Sequence, residues 1–273
     1  MIPAAFDYVR ADSAEAALAL LAEHGDEAKL MAGGHSLLPL MKLRLAVPAV
    51  VVDIGRLTDL SYIREDGDTI AIGALTRHHD LATSALLHEH LPLLAHATAK
   101  VGDPQVRHRG TLGGALSHGD PAADHPAVLL ALGGELVIRG PAGERTVAAD
   151  DFFTGFLETA LGPDELLTEV RIPKATGAGW SFQKFNRRAQ DWAIVGVAAV
   201  HNGRTGIGLV NMDTRPTRAT AAEQAMADGA SPAEAAAHAA EGTNPPEDLN
   251  GTSAYREHLA RVLVRRALEE ATA

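Results

Sequence analysis

Two short stretches set adjacent glycines beside a hydroxyl side chain: MAGGHS at 31–36 and RGTLGG at 109–114. Glycine lacks Cβ and tolerates positive φ, so such a turn can expose successive backbone N–H groups to an oxyanion. Each charge-assisted hydrogen bond made there contributes about 1.5–3 kcal/mol net. Ser36 is placed to open a helix over LLPLMKLR, whose N-terminus would add a partial positive charge. Thr111, Gly113 and Gly114 offer the same chemistry a second time. Two such turns suit a pyrophosphate, whose charges need donors from more than one side. Each turn taken alone is equally well a tight strand–helix connection. Neither matches GxGxxG, and neither carries the Lys-Ser/Thr of a P-loop.

The second turn runs on into ALSHGDPAADHP at 115–126. Asp124 can accept a hydrogen bond from a ribityl or ribose hydroxyl, or cap the helix that follows it. Ser117 and Asp120 carry the same two alternatives. The chain has 13 histidines, but RHHD, HEH and SHGD show no HExxH or other ligand spacing. His78 and His79 are therefore expected on a solvated helix face.

Composition removes several classes. With 35 acidic against 24 basic residues the formal net charge is −11, which repels nucleic acid. There is no cysteine, so disulfides, a thiolate nucleophile and an iron–sulfur cluster on the chain's own thiolates are excluded. No basic region precedes an apolar stretch at the start, and no apolar run approaches the roughly 20 residues of a membrane span. The expectation is a soluble cytoplasmic protein with no membrane span.

These residues need elements to hold them. Asp12 and Glu15 resemble a capping box for an Ala/Leu-rich helix ending near HGDE. AKLMA reads as a strand and AVVVD at 49–53 as a buried one, which makes 1–56 a strand–helix–strand–helix–strand unit. TIAIG predicts a strand and a helix from near Thr76. PLLAHATAKVG and 127–134 predict helices, the latter stopped by glycine. ELVIRG, ERTVAA and ELLTEVRIP predict strands. Pro173 and KATGAG mark the best boundary. WSFQKF, AIVGVAAV and TGIGLV then predict three strands. Three helices close the chain, the last from about Ser253 with Tyr255, Leu259, Val262 and Leu263 on one face. The class is α+β, without regular βαβ alternation.

AGGHS at 32–36, TLGG at 111–114 with Pro121 and Asp124, and KFNRRAQDWAIV at 184–195 resemble the flavin-binding medium subunit of the molybdenum hydroxylases. That family includes xanthine dehydrogenase and aerobic carbon monoxide dehydrogenase. RPTRA and YREHLARVLVRRAL resemble its C-terminal domain, so the likeness spans nearly the whole chain. It implies a two-lobed FAD domain of the vanillyl-alcohol-oxidase (PCMH) type over 1–175, with lobes of about 1–56 and 57–175. A smaller domain with a three-stranded antiparallel sheet and helices would fill 176–273. By position, Ala32, Gly33, Gly34, His35, Ser36 and Leu37 would hold the FAD phosphates together with Thr111, Gly113 and Gly114. Asp124 would hold a flavin-side hydroxyl, Ser117, Asp120 and Ala123 would belong to the same cofactor site, Lys184 would lie near the flavin, and Trp192 would flank its ring. Ala115 departs from the family, many of whose members have Asn or Ser there. A histidine placed like His35 attaches flavin covalently in parts of the wider fold. In this branch the FAD is expected to be non-covalent.

Three functions remain open. A relay subunit would take electrons from 2Fe-2S clusters on a small partner and pass them to quinone, NAD or oxygen. Substrate would then be oxidised at a molybdenum–pterin centre on a large partner, within a dimer of heterotrimers. A self-contained FAD oxidoreductase would need its own proton donor beside the flavin, and no residue in 177–273 stands out for that role. A non-enzymatic phosphoanhydride-binding subunit is the third. No residue is expected to be catalytic or to bind a metal.

Overall fold

The computed structural model describes residues 1–273. The chain begins with β1 (Asp7–Arg10), α1 (Ala14–His24), β2 (Ala28–Met31), α2 (Leu37–Leu43) and β3 (Val50–Asp53). These strands form a parallel sheet in the order β1-β3-β2, with Val50 opposite both Asp7 and Ala28. This is the strand–helix–strand–helix–strand unit expected over 1–56, and the regular alternation stops with it. Parallel strands need crossovers, and α1 and α2 are the two helices available. Ser13, not Asp12, caps α1: its Oγ accepts from the Ala16 amide at 3.0 Å. Glu15 reaches instead to Arg139 at 2.9 Å. Ala14, Ala17 and Leu21 pack on Val50 and Val52, and Leu57, Leu60, Leu75 and Leu166 from later in the chain close that core.

The middle of the chain holds β4 (Ile63–Asp66), β5 (Thr69–Gly73), α3 (His78–Thr83), α4 (Ala85–His90), α5 (Pro92–Ala99), α6 (Pro104–Arg109), α7 (Leu112–His118) and α8 (Asp124–Leu132). After them come β6 (Glu135–Gly140), β7 (Gly143–Ala148), α9 (Ala149–Phe152), β8 (Phe153–Gly155), β9 (Glu158–Thr159) and β10 (Leu166–Pro173). An antiparallel sheet in the order β4-β5-β10-β6-β7 backs the helices. The helix expected near Thr76 starts at His78, because Thr76 is held by Tyr62: its Oγ1 accepts from the Tyr62 amide and donates to the Tyr62 carbonyl. Gly133 ends α8 in the left-handed conformation, as the glycine stop predicts.

The last part carries β11 (Gly179–Phe185), β12 (Val195–His201), β13 (Thr205–Val210), β14 (Thr217–Arg218), α10 (Thr220–Ala227), α11 (Pro232–Ala237) and α12 (Ser253–Ala271). The antiparallel sheet has a fourth strand, β14, too short to show as a pattern in sequence. Both faces of β12 are buried. Val195, Val197 and Ala199 belong to the core with α12, while Ala198 and Val200 join the core with α8. That two-sided burial is why AIVGVAAV is continuously apolar. The apolar stripe of α12 is Leu259, Ala260, Leu263, Val264, Ala267 and Leu268, whereas Tyr255 is exposed. Its neighbour Arg256 takes the inward position. No helix is long and apolar enough to cross a membrane.

Candidate functional site

A cleft of about 880 Å³ opens where the three parts of the chain meet. Its walls are the two glycine turns, the start of α8, the 154–167 segment around the β8–β9 hairpin, Lys184 near the end of β11, and Gln190, Asp191 and Trp192 in the loop after it.

The glycines serve different ends. Gly34 has φ +77°, which an L side chain adopts only with strain, whereas Gly33 has no positive φ. Gly33 is required for proximity: a Cβ there would drive into the Arg109 carbonyl and stand 3.2 Å from Gly110 Cα. A Cβ on Gly113 would stand 2.5 Å from that of Ala74. The paired glycines thus let the two turns and β5 close on one another.

The donors are unevenly shared between the turns. In the second, the Leu112 amide donates to Thr76 O at 3.0 Å and the Gly113 amide to Ala74 O at 2.8 Å. The Gly114 amide donates to Thr111 Oγ1 at 3.1 Å, so Thr111 caps α7. These amides are committed to the fold, contrary to the expectation of a second free nest. In the first turn the amides of Gly33, Gly34, His35 and Ser36 donate to nothing within the chain. Ser36 stands at the N-cap position of α2 but its hydroxyl makes no capping bond. Ala32, Leu37 and the exposed His35 complete this wall, and His35 Nδ1 lies 3.2 Å from Gly33 O.

Asp124 is the first residue of α8 and does not cap it; Ala123 has the N-cap position. Its side chain is 5% exposed, and Oδ2 accepts from Lys184 Nζ at 2.6 Å. Lys184 also donates to Lys100 O at 3.2 Å, joining β11 to the end of α5. Burial raises the Asp124 pKa, and the Lys184 ammonium opposes that shift. Asp124 Oδ1 is buried without a partner. Ser117 and Ala123 line the cleft, and Trp192 sits on its rim, 60% exposed. Asp120 lies outside the cleft: its Oδ1 accepts from the Ala122 amide at 2.8 Å and shapes the turn before α8.

Two histidines in the wall carry no recognisable sequence signal. His78, expected in solvent, is 5% exposed because α3 packs its first turn against Gly110. Its ring tilts over that of His125 with centroids 4.3 Å apart, and both its nitrogens lack partners. Burial lowers its pKa to about 4. His125 is equally buried, its Nε2 lies 3.1 Å from Thr98 Oγ1, and its pKa is also well depressed by burial. His79 is exposed as expected, stacked on His108.

Residues 4–175 match the family model of the FAD-binding domain in molybdopterin dehydrogenase, and residues 180–271 that of the CO dehydrogenase flavoprotein C-terminal domain. The chain belongs to the FAD-binding medium subunits of the molybdenum hydroxylases. It is 43% identical to the carbon monoxide dehydrogenase medium chain of Hydrogenophaga pseudoflava, over 100% of this chain and 99% of that one. It is 40% identical to the alpha subunit of the 6-hydroxypseudooxynicotine dehydrogenase complex of Paenarthrobacter nicotinovorans, over 99% and 96% of the two chains. A solved structure of the H. pseudoflava enzyme lacking the Mo-pyranopterin moiety of its cofactor superimposes with a TM-score of 0.96. That match has 44% identity and covers 100% of this chain and 99% of that one.

For a medium subunit the cleft's chemistry fits FAD. It offers a run of free amides for the diphosphate, a buried carboxylate oxygen lacking a donor for a hydroxyl, and an exposed indole at the rim for a ring. Sequence alone missed the cleft's fourth wall: Thr154, Leu157, Thr159 and Gly162 line it from the hairpin and the loop beyond, and no motif marks them.

Proposed function

We propose that this chain binds FAD non-covalently and relays electrons from the 2Fe-2S clusters of a small partner to an external acceptor: quinone, NAD or oxygen. In this scheme a large partner with a molybdenum–pterin centre oxidises the substrate, and the whole is a cytoplasmic dimer of heterotrimers. The observation that carries it is the run of unpartnered amides at Gly33, Gly34, His35 and Ser36, facing across one cleft to the buried Asp124–Lys184 pair. FAD supplies the chemistry when bound: it accepts electrons singly and gives them up as a pair. The chain's residues do the rest. The first turn fixes the diphosphate through backbone donors, so sequence around it is constrained by shape rather than by charge. Asp124 Oδ1 would accept from a ribityl or ribose hydroxyl, while Lys184 donates to Oδ2, opposes the upward push of burial on that carboxyl and places a positive charge beside it. His78 and His125, held neutral by burial, leave Lys184 as the cation of that wall.

A visible spectrum and a gel of the purified native complex test the assignment. Flavin bands over iron–sulfur absorption, with two further polypeptides, are expected. Acid precipitation should release the flavin to the supernatant. The isolated chain, loaded with FAD, should stay yellow when offered hydroxylase substrates. Bleaching by substrate in the lone chain would make it a self-contained flavoenzyme instead.

A further inference from the structure

Arg77 lies just before α3, outside the cleft lining, yet it binds both lobes at the place where the glycine turns meet. Its Nη1 donates to Arg109 O at 2.5 Å and its Nη2 to Gly55 O at 3.0 Å. The Arg109 carbonyl is the group into which a Cβ on Gly33 would be driven, so Arg77 holds the second turn in the position that makes the first one need glycine. Gly55 follows β3, and a Cβ on it would stand 2.7 Å from Ala32 O, the first residue of the cradle. Arg77 also pairs with Thr111 in an isolated antiparallel bridge. One half-buried side chain therefore touches the backbone supports of both turns.

No carboxylate stands within ion-pair distance of the Arg77 guanidinium, although the charges of Asp80 and Asp53 favour it from farther away. Both hydrogen bonds go to carbonyls, and Asp53, which shares the Gly55 turn, is taken by the Tyr8 hydroxyl at 2.6 Å and the Gly55 amide at 2.7 Å. The anion cradle itself contains amides and no lysine or arginine from 32–37. We propose that Arg77 is a positioning residue for the cofactor's diphosphate: it clamps the two lobes through the Arg109 and Gly55 carbonyls and supplies a positive charge, paired directly with no carboxylate, behind the amide cradle. Burial and the Arg109 guanidinium both disfavour the Arg77 charge, the Asp80 and Asp53 carboxylates offset that only in part, and a bound dianion relieves the remaining cost.

The inference rests on FAD as the cofactor and is tested on the full chain stripped of flavin, with FAD and ADP as probes. ADP carries the diphosphate without the flavin ring. Arg77→Gln should weaken both by about tenfold or more, since a charge-assisted contribution is lost. The wild-type affinity for ADP should fall between low salt and about 1 M salt, where the screening length is about 3 Å. In Arg77→Gln that salt dependence should flatten. Arg77→Lys keeps the charge and should recover most of the affinity and the salt slope. Thermal melting of each apo variant accompanies the titrations. Unchanged ADP affinity in Arg77→Gln overturns the proposal, as does a weakened variant whose salt slope equals the wild type's, or an Arg77→Lys chain as weak as Arg77→Gln. A wild-type chain that binds neither probe refutes the FAD assignment itself.

Discussion

At the scale of single residues, the two glycines of the first turn make opposite demands and should respond differently to alanine. Gly33 meets a backbone carbonyl, which cannot swing away, so Gly33→Ala must push the Arg109 segment back and open the lobes. Gly34 meets the flexible Leu38 side chain at 2.9 Å and suffers mainly from φ +77°. A left-handed alanine costs about 1–2 kcal/mol. Flavin content after purification should be lost in Gly33→Ala and only reduced in Gly34→Ala; the reverse order would mean that φ, not proximity, governs the cradle. Lys184→Met is the matching test on the far wall. It leaves Asp124 buried without a cation, which costs about 3 kcal/mol or forces protonation of the carboxyl. Thermal melting of the apo chain should show the loss, and Lys184→Met with Asp124→Asn should restore much of it.

Between elements, the 184–192 stretch that carries Lys184 and Trp192 is anchored from behind. Arg256 of α12, with no exposed side-chain surface, donates to Ile194 O and, through Nη2, to Asp248 Oδ1 at 2.7 Å. Arg256→Ala should cost about 3 kcal/mol, combining a cavity with an unpaired partner. The nearby rim should loosen with it, so flavin fluorescence in the loaded variant should rise even below its melting temperature. An unchanged fluorescence would detach Arg256 from the cleft. At this scale sequence was informative where a signal is local. Gly-Gly beside Ser or Thr marks a close approach, Gly133 stops a helix, and a continuous apolar run marks a strand covered on both faces. It failed where the deciding partner lies far along the chain. The second turn's amides are consumed by carbonyls of Ala74 and Thr76, more than thirty residues earlier, and no turn pattern records that. His78 looks solvated beside His79 and Asp80, until α3 is packed against Gly110. Asp12 and Ser13 are both good caps, and only the entry geometry of α1 chooses between them.

For the molecule as a whole, the buried His78–His125 pair sits where the helices of the middle region, the second turn and the cleft come together, so its protonation is coupled to global stability. The sign follows from the direction of the shift. His78 has a folded pKa of about 4, below its usual 6.5, so the unfolded chain binds the proton more readily. Stability is therefore complete above about pH 6.5 and declines as pH falls towards 4, by an amount on the order of 3 kcal/mol for His78. His125 is shifted the same way by burial and adds to the decline. Ordinary carboxylates titrate lower, near 4, so a loss of stability that begins at pH 6 belongs to histidine. Charging either ring would also set a cation near Lys184 and Arg107, with no acidic group paired to it. The check is urea unfolding of the apo chain from pH 7.5 to 5, beside His78→Gln. The wild type should lose stability across that range, and the neutral glutamine should flatten the profile. Equal slopes in the two chains would show that the His78 ring is not held neutral by the fold.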